Sequence, residues 1–133
     1  MKKRFAKILA IVMAVCVLAA CGSSAKNLED YYTKAGRIEQ INTTMMKQIT
    51  AAGYGSVYSN VWIEVKGDTL SYYYQFADDT MLDPDMMASE LDKSVAGTIA
   101  SIKGESGVSS EITVKFIYLN ADGSELYTYT NQG

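Results

Sequence analysis

The sequence predicts an α+β domain, a four-stranded antiparallel sheet with two helices packed on one face, in the order α-β-β-α-β-β. Three observations predict it. Apolar residues recur at helical spacing in two segments, each opened by a capping Asn or Asp. Period-two alternation appears in two other segments, each folded about a turn containing Gly and Asp. The single proline of the 133 residues, Pro84, stands at the head of the second helical segment, where a missing N–H costs nothing.

The first helix opens on Asn27-Leu28-Glu29-Asp30, with Asn27 as N-cap and acids in the first turn. Ile38, Ile41, Met45 and Ile49 continue its apolar stripe, Gly53 and Gly55 end it, and Gly36 marks a point where it divides in two. A hairpin follows. Val61, Ile63 and Val65 alternate with Trp62, Glu64 and Lys66, Gly67-Asp68 turns the chain, and Leu70, Tyr72, Tyr74 and Phe76 alternate with Ser71, Tyr73 and Gln75. Asp83-Pro84-Asp85 then opens a helix with the stripe Met87, Leu91, Val95, Ile99 and Ile102, closed by Gly104 to Gly107. The last hairpin runs from Ile112, Val114, Phe116 and Tyr118 through Asn120-Ala121-Asp122-Gly123 to a strand over Leu126–Thr130.

Before this domain lies a segment of different character. Lys2, Lys3, Arg4 and Lys7 precede an apolar stretch, Ile8 to Ala20, and Leu18-Ala19-Ala20 runs directly into Cys21. The stretch is 13 residues long, short of the roughly 20 that cross a bilayer. Basic start, short apolar middle and small residues before a cysteine describe a lipoprotein signal peptide. The expected organisation is a signal over 1–20, a lipidated Cys21 and short tether over 21–27, and one domain over 28–133. A membrane-anchored, extracytoplasmic location follows, with the bilayer as a partner through Cys21. Cys16 leaves with the signal, so the exported domain contains no disulfide and relies on core packing.

Export also changes the charge. The twelve basic and fifteen acidic residues of the whole chain become eight and fifteen once residues 1–20 are removed, a net charge of −7. Residues 26–47 carry a net +1 and the remainder −8. Such an acidic domain is repelled by phosphate backbones, which excludes nucleic acid as an expected partner.

Candidate chemistry is sparse. The chain has no histidine, which removes Ser-His-Asp and Cys-His catalysis and imidazole zinc sites. No cofactor motif occurs, and no cofactor is expected. Asp78, Asp79, Asp83 and Asp85 form the densest acidic cluster; capping accounts for Asp83 and Asp85, and the spacing of a helix-loop-helix calcium site is missing. Glu64 beside Trp62 is the one carboxylate that suggests glycan hydrolysis, which needs a second carboxyl across a cleft.

The sheet face turned away from the helices carries more promise. With Val61, Ile63, Leu70, Tyr72, Tyr74, Ile112, Val114 and Phe116 facing the helices, Trp62, Tyr73, Lys115, Ile117, Tyr127 and Tyr129 face outward. The last strand has a competing register in which Tyr127 and Tyr129 turn to the core in place of Leu126 and Thr128. Aromatic side chains with a polar tip suit binding surfaces. The expected function is therefore a non-enzymatic binding module for a membrane-proximal protein or glycan, using this face or a strand edge. The alternatives are a small carboxylate-based hydrolase of cell-wall glycans and an inhibitor of a secreted hydrolase.

Several stretches also resemble a known family: Asn27-Leu28-Glu29-Asp30-Tyr31, Val65-Lys66-Gly67-Asp68-Thr69-Leu70-Ser71-Tyr72, Gly107-Val108 leading into Val114–Tyr118, and Tyr118-Leu119-Asn120-Ala121-Asp122-Gly123-Ser124-Glu125-Leu126-Tyr127. They resemble a family of short lipoproteins from Gram-positive bacteria known as a domain of unknown function. The resemblance implies export and an α+β domain, and it brings no catalytic residues.

Overall fold

In a computed structural model, residues 26–34 and 36–133 are described. The expected signal segment, Cys21 and most of the expected tether lie outside the described residues. Three helices and four strands follow in order: α1 (Leu28–Tyr32), α2 (Arg37–Ala51), β1 (Tyr58–Lys66), β2 (Thr69–Phe76), α3 (Pro84–Ser106), β3 (Thr113–Leu119) and β4 (Glu125–Gln132). The expected first helix is two. Asn27 caps α1 by accepting from the Asp30 N–H at 2.8 Å, and Gly36, at φ 67°, reverses the chain before α2. α3 begins on the Asp83 cap and Pro84 as read from sequence. It runs through Gly104 and stops only at Gly107, whose φ of 76° is open to glycine and strained for other residues.

The sheet order is β1-β2-β3-β4. Both hairpins are antiparallel, but β2 and β3 pair in parallel, which corrects the all-antiparallel expectation. The cause is the helix between them. At about 1.5 Å per residue, the 23 residues of α3 carry the chain back past the start of an 8-residue strand. β3 then sets out in the direction of β2 and docks beside it, a crossover joining two hairpins.

One core lies between the sheet and the helices. It is unusually aromatic on the sheet side. Tyr74 stacks on Tyr118 with centroids 4.9 Å apart, Tyr58 on Phe76 at 5.1 Å and Tyr72 on Phe116 at 5.2 Å. Met45 and Ile49 of α2 and Met87, Leu91 and Ile102 of α3 close over them. Burial, the dominant cause, pushes the phenols of Tyr32, Tyr58, Tyr72 and Tyr118 well above their ordinary range.

Tyr58 enters this core through a β-bulge. It pairs with Phe76 while Asn60 pairs with Gln75, so Ser59 is the extra residue. A bulge shifts the alternation by one position, which returns Tyr58 to the face of Val61.

Asp68 fastens the start of the domain to the sheet. Its carboxylate accepts from the Leu28 N–H at 3.0 Å and from the Ser110 hydroxyl at 3.3 Å, and its carbonyl accepts from the Thr113 N–H at 2.8 Å. Beside it the Gly67 N–H donates to Glu29 Oε1 at 2.8 Å, and the Glu29 N–H donates to the Gly67 carbonyl at 2.9 Å. The first helix is thereby clasped to the β1–β2 turn.

Candidate functional site

Directly paired residues in adjacent strands share a face. The register therefore places Trp62, Tyr73, Ile117 and Thr128 in one row across all four strands on the outer face, and Glu64, Ser71, Lys115 and Thr130 in the next. Of the expected outward residues, Trp62, Tyr73, Lys115 and Ile117 stand there together. Tyr127 and Tyr129 do not, and their expected facing is corrected. Tyr127 pairs with Tyr118, with ring centroids 6.3 Å apart, and Tyr129 pairs with Phe116, both on the core face. The hydroxyl of Tyr129 donates to the carboxylate of Asp92 on α3. That polar anchor lets a tyrosine face a helix at the sheet margin.

Trp62 and Tyr73 form the centre of the outer face. Their rings stack with centroids 5.0 Å apart and planes 3° from parallel. The Trp62 indole N–H donates to Glu64 Oε2 at 3.3 Å, which fixes the ring's edge. Partial burial, and then the negative charge and hydrogen bonding of Glu64, push the Tyr73 phenol above its usual value. Its hydroxyl is therefore neutral and able to donate at physiological pH.

Trp62 also borders a groove. α2 lies along the free edge of β1 and, with Asn60, Val61 and Trp62, encloses a volume of about 760 Å³ open to solvent. The edge is closed by amide side chains. Asn42 Oδ1, in the middle of α2, accepts from the Ile63 N–H at 2.8 Å, and Asn60 Oδ1 accepts from the Val61 N–H at 2.9 Å. Capping the exposed donors of an edge strand blocks further strand pairing there. The α2 contribution to the groove, Asn42, Met46 and Lys47, was not singled out from sequence. An asparagine in a helix interior, where it opposes helix formation, was the one local signal that could have marked it.

The acidic cluster holds its helix cap. Asp83 Oδ1 accepts from the Asp85 N–H at 3.0 Å and the Met86 N–H at 3.3 Å. Among the described residues no three carboxylates or other such side chains are placed to hold a metal ion, and no helix is long and apolar enough to cross a membrane.

Residues 28–130 match the family model described as Domain of unknown function (DUF4854). The chain belongs to that family. Among the described residues the match covers the seven helices and strands except the last two residues of β4, groove and outer face included. No curated protein and no solved structure matches the chain.

Proposed function

We propose that this chain is a membrane-anchored, extracytoplasmic lipoprotein that acts as a binding module, held through Cys21 and engaging its partner on the Trp62–Tyr73 face and the adjoining groove. The observation that carries the binding reading is the parallel Trp62–Tyr73 stack. These are two large aromatic rings on the open face of the sheet, where every other strand aromatic is on the core face. Rigid aromatics give a large contact area for little lost conformational freedom.

The anchoring reading is supported by the signal-like segment ending in Cys21 and by the resemblance to short Gram-positive lipoproteins. The bond from Leu28 to Asp68 puts the start of the domain at the β1–β2 end of the sheet. With a tether of about six residues, reaching at most roughly 20 Å, that end faces the bilayer. The acidic cluster before α3 and the β3–β4 turn then point away from it. A partner of this face is membrane-proximal.

Two measurements test the reading on the full chain in intact cells. Metabolic labelling with a tagged fatty acid marks the wild type and not Cys21→Ser; an unlabelled wild type rejects the anchor. Surface cross-linking of wild type against the double variant Trp62→Ala/Tyr73→Ala shows partner adducts lost in the variant, with its thermal melt unchanged. Adducts retained by the folded variant reject this face as the binding surface.

A further inference from the structure

We infer that the groove between α2 and β1 is a subsite for an anionic saccharide, its sugar ring lying on the free face of Trp62 and its acidic group reaching Lys47. The inference rests on the binding-module reading and names its ligand class. Three features of the groove converge on that chemistry.

The first is the indole itself. Tyr73 lies on the inner neighbour strand β2 and occupies one face of Trp62. The other face is turned toward the edge and α2, where Trp62 lines the groove. A free indole face carries negative π density, which attracts the polarised C–H groups on the apolar side of a pyranose.

The second is the sign of the polar groups. The oxygen of Asn42 is committed to Ile63 N–H and that of Asn60 to Val61 N–H. These bonds fix both amides, and each Nδ2 is left as a pair of donors with no partner among the described residues. Among the described residues, Lys47 is the one charged residue of the lining and adds an ammonium, and no carboxylate lines the groove. The hydroxyls of Thr43 and Thr50 complete the polar set. An array of donors without a fixed acceptor suits an acceptor-rich anion. A cationic peptide would find no counter-charge, and a purely apolar ligand would leave these donors dry.

The third is orientation. α2 lies on the near-neutral segment of an otherwise acidic chain. Glu64 stands beyond Trp62 along β1, whereas Asn60 stands on the opposite side of it. An anionic substituent is thereby directed to the Asn60–Lys47 end. The volume of about 760 Å³ falls within the roughly 300–1,000 Å³ typical of small-ligand sites.

Trp62 is the only tryptophan of the chain, so its fluorescence reports the groove together with the adjoining Tyr73 stack. The full chain in detergent micelles is titrated with N-acetylglucosamine, N-acetylmuramic acid and N-acetylglucosamine 6-phosphate. The ring is common to all three, and the last two add a carboxylate or a phosphate. At least one anionic sugar is expected to shift the emission saturably, with about tenfold tighter binding than the neutral sugar, one charge-assisted contact's worth. The tighter of the two identifies the anion. Lys47→Met, at an exposed site, is expected to fold normally and to reduce the preference below about twofold, as raising the salt also does. Equal binding of neutral and anionic sugars, a preference that survives Lys47→Met, or no response to any of the three overturns the inference. The binding-module reading is overturned separately, by partner adducts that persist in Trp62→Ala/Tyr73→Ala.

Discussion

Replacing Asp68 by alanine tests whether the clasp between α1 and the β1–β2 turn is a structural joint. The substitution removes two acceptors and leaves the backbone bond from Thr113 in place. Leu28 is fully buried, and its partly buried N–H loses its carboxylate. Hydrogen bonds to charged groups contribute about 1.5–3 kcal/mol, and the low end applies where water can enter. The exposed Ser110 bond adds little, so the expected loss is about 2 kcal/mol in total. At roughly 4–8 °C per kcal/mol for a domain of this size, the melting temperature falls by about 8–16 °C. Asp68→Asn retains an oxygen for Leu28 N–H and is expected to recover more than half of the loss. Thermal and urea unfolding followed by far-ultraviolet circular dichroism measures both variants. An Asp68→Ala variant melting within about 2 °C of wild type, or an asparagine variant no better than alanine, refutes the joint.

Three further outcomes follow from the core. Leu91 is fully buried on α3, so Leu91→Ala is expected to lower the urea-derived stability by about 2–5 kcal/mol; a loss under 1 kcal/mol would mean the core refills the space. The buried Tyr118 hydroxyl meets no partner among the described residues. Tyr118→Phe removes that desolvated group, so its urea midpoint is expected to rise by the equivalent of about 1 kcal/mol, and a lower midpoint would show the hydroxyl is satisfied. The raised phenols of Tyr32, Tyr58, Tyr72 and Tyr118 set the alkaline limit. Their folded pKa values lie above the unfolded value near 10, so their contribution is complete below about pH 10 and declines as the unfolded chain ionises above it. Stability is expected to fall from that point upward, with tyrosinate absorbance appearing together with loss of the fold; gradual ionisation of all tyrosines in a folded chain would contradict it.

Much of the fold was legible in local chemistry. Asn27, Asp83 with Pro84, and the alternation around Gly67-Asp68 and Asp122-Gly123 act within a few residues, and each sits in the predicted role. The parallel pairing of β2 with β3 was not legible, because which edges of two hairpins meet is decided by the run of α3 and not by either strand's alternation. Tyr58 escaped notice because the bulge at Ser59 breaks the period of two. The facing of Tyr127 and Tyr129 was undetermined in a strand where both registers look amphipathic; the contact of Tyr129 with Asp92, 37 positions away, decides it. In the candidate site, the Trp62–Tyr73 stack follows from cross-strand pairing and was readable. The groove was not, since it exists only once α2 settles against the β1 edge.

The clasp at Asp68 has a mechanical meaning. A pull on the N-terminus reaches the molecule at α1, and three bonds from Leu28, Glu29 and Gly67 stand between it and the sheet. Those few bonds and the α1 packing yield one after another, whereas tearing β1 from β2 means breaking a ladder that pairs most of both strands. Under load the first helix should detach first, releasing roughly 30 Å of chain at about 3.4 Å per residue while the outer face stays folded. In a single-molecule pulling trace this is a short extension before the main rupture; a single event would argue against it. On the proposed anchoring through Cys21, α1 would then serve as a shock absorber, lengthening the proposed tether under strain and leaving the Trp62–Tyr73 face folded.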